Sequence, residues 1–349
     1  MKNGNVGQLA FNFGKSWGGV AVEGSGRHRL FDQLVSTPNL FLAWDRFVRG
    51  KRSKPDVQAF ERHLEDNLFA LQEQLRQGTY THDPYQAFVI HDPKRRQIHK
   101  STVKDRVVHQ AMINVIEPYF ERRFIFYSYS SRKGKGTHAA IRRLERMLQR
   151  LSRNNTQTVY VLKMDIARFF ATVDHEILLD QLGQLVTDER MIGLLRLIIG
   201  SFQATHGKGI PLGNVTSQLF ANVYLNPLDQ FVKHELRPRL YLRFCDDFVC
   251  VAFNRDDFRP FIFRVDSFLR KHLKLRRHSG KTICRTHRQG IDFLGYVMKP
   301  NVILLRTKTR RRAFGRVDSK NLCSYLAYFA HAKSRGAQQE LVNRVWING

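Results

Sequence analysis

The sequence predicts an α+β fold, because strand-like apolar runs alternate with amphipathic helical stretches but never settle into a regular βαβ repeat. Two runs, Val159–Asp165 and Tyr241–Cys250, are short, β-branched or aromatic in character, and interrupted by aspartate. At 349 residues the chain is long enough to bury a sizeable core and to divide into two or three subdomains around one site.

Taken in order, residues 1–30 hold Gly4, Gly7, Gly14, Gly18, Gly19, Gly24 and Gly26 with little periodicity, and are expected to form a flexible glycine-rich extension. Helical spacing begins near Leu30 and continues through Phe60–Leu71. Gln86–Ile90 is β-like and leads through Pro93–Ile98 into a basic hairpin. Arg106–Phe120 is amphipathic and should bury Val107, Ala111, Val115 and Ile116. A strand ending at Asp165 follows, then helices from about His175, from Met191 to Ile199 and, after a glycine-rich turn, from about Thr216 to Glu235. The aspartate hairpin, a helix near Phe258–Leu273, a β-turn unit at Ile291–Val297 and a basic helical tail complete the chain.

Lys and Arg number 58 against 30 Asp and Glu, a net charge of +28, which implies a polyanionic partner. The basic residues are spread through Lys94-Arg95-Arg96, Arg132-Lys133-Gly134-Lys135, Arg142-Arg143, Arg276-Arg277 and Arg310-Arg311-Arg312, which suits a groove that tracks a phosphate backbone. No apolar run approaches the about 18–20 residues of a membrane-spanning helix and no secretory segment is evident, so a soluble intracellular protein is expected. Cys245, Cys250, Cys284 and Cys323 lack CxxC spacing and are expected to be reduced and mostly buried. The histidines show no HExxH pattern, and His99, His109, His138 and His175 read as structural or phosphate-contacting.

The chemistry concentrates on aspartate. Asp246 and Asp247 are adjacent among apolar neighbours, where like charges are costly unless a cation compensates them. Joined by Asp165, they could hold two hard divalent ions roughly 3.5–4 Å apart, which would stabilise the attacking and leaving oxygens of an in-line displacement. A solvated Asp-Asp turn between two strands is the alternative, and the pair alone does not decide between them.

From about residue 35 onward, the order of motifs resembles a reverse transcriptase. Lys163–His175 is similar to the family's first catalytic motif, which implies that Asp165 is a metal ligand, that the Ile166 carbonyl adds an oxygen, and that Phe170 stacks under the sugar and excludes a 2′-hydroxyl. Gly209–Gln218 resembles the second palm motif, in which Gly213 permits close backbone approach to the nascent base pair. Here Leu212 replaces the usual Gln and Ser217-Gln218 the usual Ser-Pro, features similar to error-prone enzymes of diversity-generating retroelements, as is Leu219–Asp229. Phe244-Cys245-Asp246-Asp247 resembles the YxDD box with Phe for Tyr. Lys281 matches a lysine near the triphosphate, a proton donor to pyrophosphate, and Ile291–Tyr296 resembles the primer-grip turn with Phe293, Leu294 and Gly295. Lys94, Arg95 and Arg96 match the basic fingers hairpin that clamps the triphosphate, while Arg106 and Arg132 match positions near nucleotide and template.

The resemblance implies a right-hand polymerase fold: fingers over 31–159, palm over 160–298 with 183–211 partly fingers, and a short helical thumb over 299–349. It implies an RNA-directed DNA polymerase using two Mg2+ ions, with Mn2+ able to substitute, making cDNA from a structured RNA template. Template RNA, primer, cDNA product, dNTPs and a small basic accessory protein or an oligomer are the expected partners, in a bacterial or phage-encoded cytoplasmic protein with no membrane partner. The alternatives are an antiphage-defence reverse transcriptase with a non-coding RNA and a non-catalytic RNA-binding scaffold. A retron enzyme fits less well, as does a group II intron protein, for which a maturase extension or endonuclease domain is expected.

Overall fold

The computed structural model describes residues 29–91 and 95–348. The expected glycine-rich extension falls almost wholly outside the described residues, as does Lys94.

The first part of the chain is helical, with α1 (Leu30–Leu34), α2 (Thr37–Val48), α3 (Pro55–Glu61) and α4 (Leu64–Gln77) preceding the antiparallel hairpin β1 (Gln86–Ile90) and β2 (Arg96–Lys100). The helix boundaries are chemically marked: Ser36 caps α2 through Asn39 N–H, and α4 ends on Gly78 at φ 71°. Next come α5 (Val103–Glu121), capped by Thr102, and α6 (Thr137–Leu151). Val107, Ala111, Val115 and Ile116 of α5 are buried, as the sequence predicts. The sequence reading passes over α6, although Ala140, Ile141, Leu144 and Leu148 recur at helical spacing and form a regular buried stripe with arginines on the other faces.

Strand β3 (Tyr160–Asp165) leads to α7 (Phe169–Thr172), α8 (His175–Gly183), α9 (Glu189–Gly200) and α10 (Val215–Phe231), which continues as a π-helical turn over Val232–Leu236. After β4 (Leu240–Phe244) and β5 (Asp247–Ala252) come α11 (Phe258–Leu273) and β6 (Ile283–Thr286). A three-stranded sheet of β7 (Ile291–Phe293), β8 (Tyr296–Lys299) and β9 (Val302–Leu305) precedes α12 (Thr307–Arg316), α13 (Leu322–Phe329) and α14 (Arg335–Asn348). Strands β6 and β9, four residues each, are too short to announce themselves in the sequence, and β6 also mixes polar with apolar residues.

The central sheet is antiparallel, in the order β4-β5-β3-β6. Side chains alternate across it, so each strand serves two cores. Leu162, Met164, Tyr241, Phe248 and Cys250 join the larger core with α5 and α8–α11. Val161, Leu240, Leu242, Val249 and Val251 join a second core with α6 and β7–β8. By the same alternation Lys163, Asp165, Phe244 and Asp247 belong to the second face, at the end where β3 stops and β5 begins.

Behind that end lies an ion pair excluded from solvent. Arg243 donates from Nε to Asp229 Oδ1 at 2.8 Å and from Nη2 to Asp229 Oδ2 at 2.6 Å, with both side chains fully buried. Tyr241 donates to the same carboxylate at 2.7 Å. The guanidinium also reaches Asn222 Oδ1, Ser128 Oγ and the Cys245 carbonyl, so its donors are satisfied. Residues 127–129 run beside β4, with Arg243 N–H donating to Tyr127 O at 3.0 Å and Tyr129 N–H to Arg243 O at 2.9 Å.

Two outcomes follow. Arg243→Leu leaves the Asp229 carboxylate buried without its cation and should cost about 3–5 kcal/mol, while Arg243→Leu with Asp229→Leu should be less destabilised than that single change; denaturant unfolding of the three proteins measures the difference. Asp174 caps α8 and accepts from Lys274 Nζ at 2.8 Å. Burial alone would raise its pKa, but the hydrogen bonds from Lys274 and Ile177 N–H and the Lys274 charge together hold it below the ordinary carboxylate value. The resulting stability is present above the ordinary value and lost as pH falls through the depressed one. Asp174→Asn should therefore cost about 1 kcal/mol or less near neutrality, the lysine being half exposed, and the gap to the parent protein should close on acidification in melting curves.

Candidate active site

Asp165 closes β3 directly opposite Asp247, which opens β5, and Asp246 lies in the two-residue loop of the hairpin beside Cys245 at φ 56°. A positive φ suits a tight hairpin and turns Asp246 back toward β3. Ile166 N–H donates to Asp246 O at 3.3 Å, His278 N–H to Asp165 O at 2.8 Å, and Arg243 to Cys245 O at 3.0 Å. The backbone therefore fixes all three aspartates before any ligand arrives.

Their electrostatics are unfavourable when they are alone. Burial, reinforced by the Asp165 charge, raises the pKa of Asp246. Burial also raises that of Asp247, opposed by Lys163. Asp165 Oδ2 accepts from Lys281 Nζ at 2.7 Å, whereas Oδ1 is buried with no partner. Lys163 Nζ lies 3.6 Å from Asp247 Oδ1. Among the described residues no three His, Cys, Asp or Glu side chains are drawn close enough to hold a metal ion as they stand. The donor chemistry nevertheless fits hard divalent cations, since an orphaned carboxylate oxygen and two strained acids call for positive charge.

The turn 209–213 is tied to the segment that follows β3. Gly209 N–H donates to Val173 O and Ile210 N–H to Phe170 O, each at 2.8 Å. Phe169 is buried against Tyr224, while Phe170 is only partly buried and meets Phe169 edge-on at 5.3 Å. Leu212, half-buried, accepts from His99 N–H at 3.1 Å. Gly213 sits at φ 113°, and an added Cβ would meet Ile98 Cγ2 at 3.0 Å. The close approach that this glycine permits is to Ile98 of the β1–β2 hairpin, which also carries exposed Arg95 and Arg96.

Other expected residues are placed differently. Arg132 is spent inside the fold: it is bound to Glu121 and to the Ile125 and Ser128 carbonyls, and its side chain is only 6% exposed, so it does not stand open to a template. Arg106 pairs with Asp56 at 2.6 Å and lies over the Phe47 ring. Phe293 is fully buried in the second core rather than presented to a primer. Leu294 and Gly295 form the turn at φ 51° and 89°, and a Cβ on Gly295 would run into the Tyr328 hydroxyl, which donates to Leu294 O at 2.9 Å. Ser217 Oγ is buried without a partner, Gln218 is exposed and Phe244 is half-buried. Lys281 is 42% exposed.

Of the cysteines only Cys250 is buried; Cys245 and Cys284 are half-buried and Cys323 is exposed, because the last lies on α13, of which only Phe329 is buried. His175 donates to Gly209 O at 2.7 Å, and burial pulls the pKa of fully enclosed His109 down to about 3. Both are structural.

Sequence reasoning passed over Arg243, Asp229, Lys163 and Tyr328. A signal existed for Arg243: it shares a side of β4 with Tyr241, in a strand whose every other residue is apolar.

Residues 91–298 match the family described as reverse transcriptase (RNA-dependent DNA polymerase). Protein YkfC of Escherichia coli K12 is 31% identical over 179 residues, covering 48% of this chain and 45% of that protein. The group II intron-encoded protein LtrA of Lactococcus lactis is 24% identical over 178 residues, covering 48% of this chain and 28% of that protein. The matches span less than half the length of these curated relatives. Apo telomerase from Candida tropicalis superposes with a TM-score of 0.50 at 12% identity, over 75% of this chain and 56% of that one, a likeness of fold. Because the matched region takes in more than half of the chain and carries all three aspartates on one sheet end, the protein belongs to the reverse transcriptase family and has its right-hand polymerase fold.

Proposed function

We propose that the chain is an RNA-directed DNA polymerase that makes cDNA from a structured RNA template, with error-prone copying in a diversity-generating retroelement. The observation that carries this reading is the register of Asp165 against Asp247 with Asp246 beside them, one buried and two half-buried acids at one sheet end, where burial and mutual repulsion raise the pKa of Asp246 and Asp247. Members of the family work with divalent metal ions. In this chain Asp165, Asp246, Asp247 and the Ile166 carbonyl would hold two Mg2+ ions, or Mn2+, whose chemistry when bound is to stabilise the attacking 3′-oxygen and the leaving pyrophosphate.

The remaining work falls to side chains. Lys94, Arg95 and Arg96 of the hairpin clamp the triphosphate, where fixed cations stabilise charge on the transferring phosphoryl group. Phe170 lies against the sugar and excludes a 2′-hydroxyl. Leu212 and Gly213 bound the nascent base pair, Lys281 leaves Asp165 to give a proton to pyrophosphate, and Ser217, Gln218, Phe244, Leu294 and Gly295 border template and primer. Fingers, palm and thumb divide near 159 and 298. RNA, primer, dNTPs and a small basic accessory protein complete the assembly.

A non-catalytic RNA-binding scaffold is the second reading, favoured by the lysines that already engage two of the carboxylates. Incorporation of labelled dNTPs on an RNA template separates the two. Mg2+-dependent synthesis that falls by about 10³-fold or more in Asp246→Asn, with product sequences rich in substitutions at template adenines, is the expected result. RNA binding without synthesis would leave the scaffold, and faithful product would remove the retroelement role. Phe170→Ala should admit ribonucleotides, raising the rNTP:dNTP incorporation ratio by about tenfold or more; an unchanged ratio would remove Phe170 as the gate.

A further inference from the structure

Lys163 has no part in the roles assigned above. It stands on β3 two residues before Asp165, on the same face of the sheet, paired across the ladder with Val249. Its side chain is 20% exposed, and its ammonium lies 3.6 Å from Asp247 Oδ1. The same nitrogen is 5.9 Å from the centre of the fully buried Phe293 ring, one residue before the Leu294-Gly295 turn. The stem thus crosses the seam between the central sheet and the β7–β9 sheet, with an aromatic face at one contact and a carboxylate at the other.

Lys281 provides the contrast. It rises from a single helical turn, Ser279–Lys281, and reaches Asp165 from solvent. Its side chain is 42% exposed and so has solvent to move into. Lys163 is rooted in an interior strand of the sheet and flanked by a buried ring, so it has nowhere comparable to go.

We infer that Lys163 is a positioning residue that holds the Asp247 carboxylate in place against repulsion from Asp165 and Asp246, and ties it to the primer-side turn through Phe293. The inference rests on the polymerase reading. It has a cost that identifies it: a fixed cation beside a ligand set opposes the entry of another cation, so the site trades ion affinity for geometry. A residue needed only for folding would show no such trade.

The test uses the full chain as wild type, Lys163→Met and Lys163→Arg. Mn2+ alone is titrated by the paramagnetic resonance of the free ion, melting temperatures are recorded, and single-nucleotide incorporation on a short RNA template annealed to a DNA primer gives kcat and KM. Lys163→Met is expected to bind Mn2+ several-fold to about tenfold more tightly. Its kcat should fall by about tenfold or more at an unchanged KM for the dNTP. Lys163→Arg should restore both toward wild type. Slower turnover with weaker Mn2+ binding and a lower melting temperature, or no change in either readout, overturns the inference. Wild-type chain that fails to incorporate would strike the polymerase reading itself, whereas an active wild type with an unaltered Lys163→Met strikes only the role of Lys163.

Discussion

The buried pair of Arg243 and Asp229 is the constraint from which the site is built. Its desolvation is expensive, and it persists because the guanidinium and carboxylate are saturated by one another and by Tyr241, Ser128, Asn222 and the Cys245 carbonyl. Such a network adds little stability over a well-packed apolar core, but it admits one arrangement only. Helix α10, the segment before α6 and the aspartate hairpin all converge on it, so the loop bearing Asp246 inherits its position from a contact that never touches substrate.

The central sheet then separates two demands. One face is given to the larger core, where helices cover the strands. The other carries the acids at its open end and is closed further along by α6 and the β7–β9 sheet. Like charges can be concentrated there because the backbone is already committed, and repulsion among carboxylates cannot relax a strand that is hydrogen-bonded on both sides. The β1–β2 hairpin is tied by a backbone contact at Leu212 and the missing side chain of Gly213 to a turn that is itself hydrogen-bonded to Phe170 and Val173, a few residues beyond Asp165.

Much of this was legible. Helices α5 and α11 follow their periodicity, β3 and the aspartate hairpin follow their apolar runs, and the three acids could be named from motif order alone. What escaped has physical causes. Strands β6 and β9 are too short to show an alternation, whereas the stripe of α6 stands at regular helical spacing and was simply passed over. Arg132 and Phe293 were assigned to ligands because motif position says nothing of what else a side chain touches; the one finds a glutamate and two carbonyls, the other a core. Arg243 was overlooked for the converse reason, since its partner is fourteen positions away in sequence on another element.

The contact between Tyr328 and the Leu294-Gly295 turn bears on how this protein can be recombined. The tyrosine hydroxyl holds the Leu294 carbonyl, its own carbonyl accepts from Tyr296, and only glycine leaves it room. Strand β9 is moreover paired with β8 along its whole length. Helices α12–α14 are therefore not a detachable module with a joint near residue 298. A chimera that exchanged these helices there would cut through a sheet and set a foreign helix against a turn shaped for one phenol, whereas a junction ahead of Ile291 would carry the turn, the sheet and the helices across as a single inherited part.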